Sequence, residues 1–189
     1  MKFAFHPTMC PTEQYLPLCQ AAEEIGFDTF TFPDSICYPK EGSDVYPYNN
    51  DGTREFLDDV PFIEPFVAIP YLAAQTKRIR FSTSVVKLAI RQPAVVAKQL
   101  TSMAALIGDR FDFGIGISPW PEDFEACQIA WEKRGKRMDE MMQGRPPGSA
   151  VEHNPIYLRE DPPPLTHTPK SPADRLESLT VSDLSFQYP

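Results

Sequence analysis

Short apolar runs alternate with stretches of helical periodicity from the start of the chain to about Met142, and this alternation constrains the fold more than any other feature. Four successive strand–helix units predict an α/β fold in which right-handed crossovers build a parallel sheet. In such folds the functional site lies at the carboxyl ends of the strands. The predicted strands are KFAFH at 2–6, FDTFTF at 27–32, RIRFSTSVVKLAI at 78–90 and FDFGIGIS at 111–118.

The helices between these strands are predicted from apolar stripes and end signals. In the first helix Thr12 is a candidate N-cap, Pro17 fits the first turn, and Gly26 ends the helix. A later helix begins with Pro93 and ends at Gly108. Further helices are predicted within 61–76, despite three prolines, and through 131–142. The two clearest stripes are Leu16, Cys19, Ala22 and Ile25, and Val96, Leu100, Met103 and Ile107.

The domain boundary is predicted at residue 142, because the periodicity stops there. Residues 1–142 form the folded domain, and residues 143–189 form a tail in which prolines are dense and large apolar residues are few. This composition predicts disorder and favours it over a polyproline recognition segment, because no repeated PxxP register is present. A long loop over 33–59, rich in Tyr, Pro, Asn and Gly, is expected to be functional or mobile.

Charge and cysteine content exclude several classes of function. The net charge of −8 and the lack of a basic run argue against nucleic acid, so the expected partner is a small-molecule substrate. The four cysteines form no CxxC pair and are expected to be reduced thiols rather than a zinc site. No apolar run has the length of a signal-peptide core or a membrane span, so we expect no membrane association and a cytoplasmic location.

The glycine pair in GDRFDFGIGIS, Gly114 and Gly116, invites a phosphate-binding interpretation. A dinucleotide fingerprint requires a third glycine and an immediate helix, whereas Ile117, Ser118 and Pro119 follow here. A Walker loop requires GK[ST], which is also absent. We therefore predict that the two glycines allow a ligand or neighbouring side chains to approach the strand closely.

Three segments in order carry a family resemblance: AAEEIGFDTFTFPDS, the run from TKRIRFSTSVVKLAI through GDRFDFGIGISPWPEDFEA, and RGKRMDEMM. They resemble the luciferase-like monooxygenase family, in particular its branch that uses the deazaflavin coenzyme F-420, and the resemblance covers residues 1–142. It implies a TIM (β/α)8 barrel whose strand ends hold a deazaflavin or flavin ring. It also implies hydride transfer with coenzyme F-420, or oxygen activation with FMN as the alternative.

The resemblance also implies roles for particular residues. A non-prolyl cis peptide that supports the cofactor ring is expected between Ser84 and Val85. Trp120 and Glu122 are expected near the ring edge, although Glu122 also suits a helix start. Asp34 is a candidate catalytic residue on the substrate side, with a turn residue as the alternative, and the histidine that follows it in relatives is replaced here by Ser35.

His6 is the second candidate catalytic residue. It ends the first predicted strand, and an imidazole that titrates near neutrality suits proton transfer. The alternative is a histidine that only makes structural hydrogen bonds.

The length of the predicted domain conflicts with a whole barrel, which takes about 250 residues. About four βα units are present, so we expect an incomplete barrel with two open sheet edges and an apolar inner face. Two hypotheses follow: an oxidoreductase that associates as a homodimer, or a non-catalytic fragment. The tail is expected to be foreign to the family, as a shifted reading frame or a truncated gene would make it.

Overall fold

Parallel strands joined by helices make up the described part of the chain. The computed structural model describes residues 1–7, 10–38, 52–53, 57–58 and 60–143. The strands are β1 Ala4–Phe5, β2 Thr29–Phe32, β3 Arg80–Thr83, β4 Val86–Lys87, β5 Phe111–Asp112 and β6 Ile115–Gly116. The helices are α1 Tyr15–Ile25, α2 Pro65–Ala73, α3 Pro93–Ile107, α4 Pro121–Ala126 and α5 Arg134–Met142, with 3-10 turns at Thr12–Gln14 and Leu88–Ile90.

The strands form two parallel ladders. Four of them lie in the order β1-β2-β3-β5, and β4 pairs with β6. Helices α1 and α2 connect neighbouring strands of the larger ladder, which is the predicted strand–helix repeat. The predicted strands at 78–90 and 111–118 are each divided in two, because the chain turns at Ser84–Val85 and at Phe113–Gly114.

The hydrophobic core lies between one face of the sheet and helices α1, α2 and α3. Because side chains alternate along a strand, Phe30 and Phe32 of β2 share a face with Phe81 of β3, and all three are buried. Cys19, Ile69 and Met103 belong to the same cluster, one from each of the three helices. Most residues of the two predicted stripes are therefore buried or partly buried, and Ile25 is the exception.

The opposite face of the sheet is polar, so the expectation of an apolar inner face was wrong. The hydroxyl groups of Thr31 and Ser82 lie 2.8 Å apart on neighbouring strands. Arg80 donates to both carboxylate oxygens of Asp112, at 3.0 and 2.8 Å. Period-two alternation explains this arrangement, since the phenylalanines of β2 and β3 all point to the helices.

Helix α1 confirms the predicted end and corrects the predicted face. Gly26 has φ +92° and ends the helix, a conformation that favours glycine. Tyr15, Cys19 and Ala22 are buried, whereas Ile25 is 74% exposed because it lies about a quarter turn from their stripe. Thr12 is not the N-cap, because it begins the 3-10 turn that precedes the helix.

The other helices follow their proline and glycine signals. Pro93 begins α3 and Gly108, at φ +65°, ends it as predicted. Helix α2 is shorter than the predicted 61–76, because Pro65 occupies its first position and the Glu64 side chain caps it by accepting from Val67 N at 3.1 Å. No helix in the described ranges is long and apolar enough to cross a membrane.

Two predictions concern residues that are largely outside the described ranges. The proline-rich tail over 143–189 is outside them except for its first residue, and so is most of the long loop over 33–59.

Candidate functional site

A cis peptide between Ser84 and Val85 joins β3 to β4, at the position that the family resemblance implied. Ser84 N donates to the carbonyl oxygen of Phe32 at 2.7 Å, and Val86 N donates to that of Gly114 at 2.9 Å. The turn is therefore fixed from both neighbouring strand segments. Its position at the carboxyl end of β3 is where sites of parallel α/β folds lie.

The glycine pair is explained by close approach to this turn. A Cβ atom on Gly114 would lie 2.0 Å from the carbonyl oxygen of Thr83, and one on Gly116 would lie 2.5 Å from Cγ2 of Val85. Gly114 N also donates to Thr83 Oγ1 at 3.0 Å, and that hydroxyl donates to Gly114 O at 2.7 Å. The predicted close approach is confirmed, and the neighbours are the backbone before the cis peptide and the side chain after it.

An apolar side chain is exposed at the turn, because Val85 is 42% exposed. Ile117, which follows β6, is 38% exposed but lies beside α5, since a Cβ on Gly135 would lie 3.8 Å from its Cδ1. An exposed apolar side chain on a rigid turn can contact the face of a flat ring.

Asp34, at the end of β2, belongs to a buried ionic network. One carboxylate oxygen accepts from the backbone N of Lys87 at 2.9 Å, and the other accepts from Arg91 Nη2 at 2.8 Å. Arg91 Nη1 also donates to Glu64 Oε1 at 3.0 Å. The Asp34 side chain is only 1% exposed, and its two oxygens together hold the segment from Lys87 to Arg91 in place.

A second buried carboxylate, Asp123 of α4, lies beside this network. Lys87 Nζ lies 2.6 Å from Asp123 Oδ2, and the two side chains are 10% and 2% exposed. Ser118 Oγ bonds to the same oxygen and accepts from Trp120 N at 3.1 Å. A buried ion pair of this kind requires its neighbouring hydrogen bonds, since removal of one partner leaves an uncompensated charge.

Of the residues predicted for catalysis, Asp34 is in this network and His6 is at the end of β1, on the polar face of the sheet. The partial burial of the His6 imidazole lowers its pKa, and a backbone hydrogen bond of the same residue opposes this effect. Trp120 is half-buried just before α4, and Glu122 lies in the acidic first turn of that helix, as the sequence predicted.

Sequence reasoning did not identify Lys87, Arg91 and Asp123 as site residues. A signal was present in VVKLAI, where a lysine interrupts an apolar run. A buried ammonium group needs a carboxylate partner, so such a lysine implies an acidic residue nearby in space. The sequence does not reveal that this partner is Asp123, 36 positions later.

A cleft opens beside this network, between the segment after β2 and the start of α4. It has a volume of about 180 Å³ and is partly open to solvent. Most of the residues that line it are apolar or aromatic, but polar atoms contribute nearly half of its exposed surface, and the Asp123 carboxylate contributes a buried charge. The described residues that line it are Ser35, Ile36, Cys37, Tyr38, Leu57, Val60, Phe62, Trp120 and Asp123.

Comparison with known proteins identifies the class and then the family. A parallel sheet with a cis turn at the end of β3 is the arrangement implied by the sequence resemblance, and the family model described as luciferase-like monooxygenase matches residues 8–144. The chain belongs to the luciferase-like monooxygenase family. It is 51% identical over 143 residues to an uncharacterized protein of Mycobacterium tuberculosis, an alignment that covers 76% of this chain and 50% of that relative.

Solved structures share the fold at low sequence identity. The FMN complex of the oxygenating constituent of 3,6-diketocamphane monooxygenase, from a plasmid of Pseudomonas putida, matches with a TM-score of 0.54 and 18% identity over 76% of this chain and 38% of that one. An F420-dependent secondary alcohol dehydrogenase matches with a TM-score of 0.50 and 16% identity, over 76% and 40% of the two chains. These likenesses confirm the predicted α/β class of luciferase-like type.

The chain spans about half the length of the curated relatives to which it is 51% identical. The match to the family model does not favour the fragment hypothesis over the oxidoreductase hypothesis.

Proposed function

We propose that this chain is a luciferase-like oxidoreductase that binds coenzyme F-420 and transfers hydride between it and a small organic substrate. The observation that carries the proposal is the apolar side chain of Val85, which is 42% exposed just beyond the carboxyl end of β3. Gly116 lies directly behind Val85, where a Cβ would approach Cγ2 to 2.5 Å, and so restricts the side chain on that side. A rigid apolar support of this kind fits the flat ring of a deazaflavin or flavin.

The residues around the turn fit such a ring in their chemistry as well. Val85 offers apolar contact, and Trp120, which follows the neighbouring strand β6, offers an aromatic surface. Ser84 and Glu122 are proposed as polar contacts to the ring edge. When bound, a deazaflavin supplies hydride transfer, whereas reduced FMN supplies oxygen activation.

His6 and Asp34 are proposed to have different parts in the reaction. Partial burial lowers the pKa of His6 and so favours the neutral imidazole, which can accept a proton from a substrate group. Asp34 has both carboxylate oxygens bound, to Lys87 and Arg91, so its proposed part is to position the segment that follows the cis turn. The protein's contribution is then orientation of the reactants and exclusion of water.

Support for a flavin-type cofactor comes from the two structural neighbours, one solved with FMN and the other with an F420 adduct. The F-420 assignment extends the sequence resemblance of strand 78–90 and PAVVAKQL to this chain. The FMN-dependent alternative is an outcome of the test below.

The test is a fluorescence titration of the purified full chain with coenzyme F-420 and, separately, with FMN, while its mass is followed by light scattering. We expect saturable binding of F-420 by a discrete species, a homodimer if two copies complete the site. Val85→Ala should weaken binding about three- to tenfold, because about two methyl-sized contacts are lost. The matched control is Val95→Ala, since Val95 is 55% exposed on α3 and away from the turn.

Tight binding of FMN but not F-420 would replace the hydride-transfer proposal with the FMN-dependent one. Binding of neither cofactor would refute both proposals. Equal losses in the two valine variants would show that the turn is not the binding surface.

A further inference from the structure

The cleft beside α4 combines apolar side chains with polar groups, and one of these groups is a buried acceptor. Ile36, Val60, Phe62 and Trp120 contribute hydrophobic or aromatic surface, and Asp123 contributes a carboxylate whose side chain is 2% exposed. Mostly apolar pockets with a few fixed polar groups are typical of small-molecule sites, where the polar group sets the orientation of the ligand.

The two oxygens of Asp123 are used unequally. Oδ2 bonds to both Lys87 Nζ, at 2.6 Å, and Ser118 Oγ. At Oδ1 the described contact is the thiol of Cys37, at 3.8 Å, and a thiol is a weak donor. Each carboxylate oxygen can accept about two hydrogen bonds, so Oδ1 retains capacity for a stronger donor.

Cys37 is held in its protonated, weakly donating form. Burial raises the pKa of the Cys37 thiol, and the negative charge of Asp123 raises it further. The thiol also lines the cleft, so a ligand hydroxyl that entered there would compete with it for the same oxygen.

The charge at this point of the cleft favours an uncharged ligand. Lys87 Nζ lies at ion-pair distance from Asp123 and compensates its charge, so a cationic ligand would meet a cation already in place. An anionic ligand would face the Asp123 oxygens. Both would lose hydration against the apolar walls.

We propose that this cleft binds a small, uncharged compound through one hydrogen bond from its O–H or N–H group to Asp123 Oδ1. Asp123 is then the residue that selects ligands with a donor over ligands without one. The identification of this ligand as the substrate rests on the proposed oxidoreductase function, but its binding does not.

The experiment uses the full chain without cofactor and three probes of nearly equal size: cyclohexanol, its methyl ether and cyclohexylammonium. The chain has two tryptophans, so Trp131→Phe leaves Trp120, in the cleft, as the fluorescent reporter. Phenylalanine keeps an aromatic ring against Phe124, which contacts Trp131 edge-on at 5.1 Å between centroids. We expect cyclohexanol to bind about tenfold more tightly than either other probe. The ether lacks the hydrogen-bond donor to the Asp123 carboxylate, and the ammonium group is repelled by the Lys87 charge.

Asp123 is not itself substituted, because Lys87 would be left buried without its partner. Cys37→Ser introduces a stronger donor to Oδ1 and should weaken cyclohexanol binding severalfold. Cys37→Ala removes the competing donor and should preserve or strengthen it. Cys127→Ser is the matched control, since Cys127 is a half-buried thiol that does not line the cleft, and it should leave binding unchanged.

Equal affinity for the alcohol and its ether, tighter binding of cyclohexylammonium, or an identical effect of serine at positions 37 and 127 would each overturn the proposal. A chain that binds coenzyme F-420 but not cyclohexanol would overturn this inference and leave the oxidoreductase proposal standing. A chain that binds cyclohexanol but neither cofactor would support this inference and overturn the oxidoreductase proposal.

Discussion

Gly114→Ala tests whether the glycine pair is required by the cis turn. The added methyl would lie 2.0 Å from the carbonyl oxygen of Thr83 and 3.1 Å from its carbonyl carbon. Both are backbone atoms, so no side-chain rotation relieves the clash and the two strand segments must separate. Overpacking costs about 1–3 kcal/mol. Separation also weakens the two hydrogen bonds between Thr83 and Gly114, at about 1 kcal/mol each.

The expected total is a loss of about 3–5 kcal/mol in the free energy of unfolding, which is large against the roughly 5–15 kcal/mol of a typical domain. The assay is urea unfolding at 25 °C, followed by far-ultraviolet circular dichroism. Gly135→Ala is the matched control, because its methyl would meet Ile117 Cδ1 at an ordinary 3.8 Å. Alanine within α5 should raise stability by about 0.5–1 kcal/mol. A Gly114→Ala variant within about 0.5 kcal/mol of the parent would refute the close-approach argument.

Two further predictions concern single contacts. Gly116→Ala should lower the free energy of unfolding by about 1–3 kcal/mol, because the added methyl crowds Val85 Cγ2. In a Val85→Ala background most of that loss should disappear. Additive losses in the double-mutant cycle would contradict the contact. The second prediction concerns Glu23. Partial burial alone would raise the pKa of its carboxyl group, but the backbone N–H groups of residues 77–79 donate to the carboxylate and lower the pKa below its ordinary 4.5. The parent should therefore exceed Glu23→Gln in stability above pH 4.5, and the difference should vanish as the pH falls through the folded-state pKa; a difference that persists in acid would contradict the carboxylate's role.

The fold was predictable from the sequence where local chemistry and packing agree. Gly26 and Gly108 both end helices at positive φ, and both were identified from the sequence because few other residues adopt that conformation. The stripe on α3 was likewise mostly correct. The errors occurred where the direction in which an element packs decides the outcome. Ile25 lies about a quarter turn from the buried stripe of α1, and the inner face of the strands is polar because the phenylalanines of β2 and β3 point to the helices.

The candidate site was predictable in part for a different reason. The cis turn was located through a family resemblance, and the glycine pair was interpreted from its spacing and its failure to match nucleotide-binding patterns. The network around Asp123 joins residues far apart in sequence, so no local pattern specifies it. The sequence signal for this network is Lys87, a charged residue within the apolar run VVKLAI. It indicates that an acidic partner exists but not which residue that partner is.

The same buried pair connects the turn to the cleft. Lys87 follows the cis peptide by two residues, its backbone N is held by Asp34, and its side chain reaches Asp123 at the cleft. A change at the cleft that displaced Asp123 would leave the Lys87 charge uncompensated. The Lys87–Asp123 pair therefore links the position of the turn to the state of the cleft. In an enzyme of the proposed kind, this ion pair would hold two groups at a fixed distance from each other: Val85, which supports the cofactor ring, and Asp123, which accepts the substrate's hydrogen bond. A fixed distance and orientation between cofactor and substrate is the main requirement for hydride transfer.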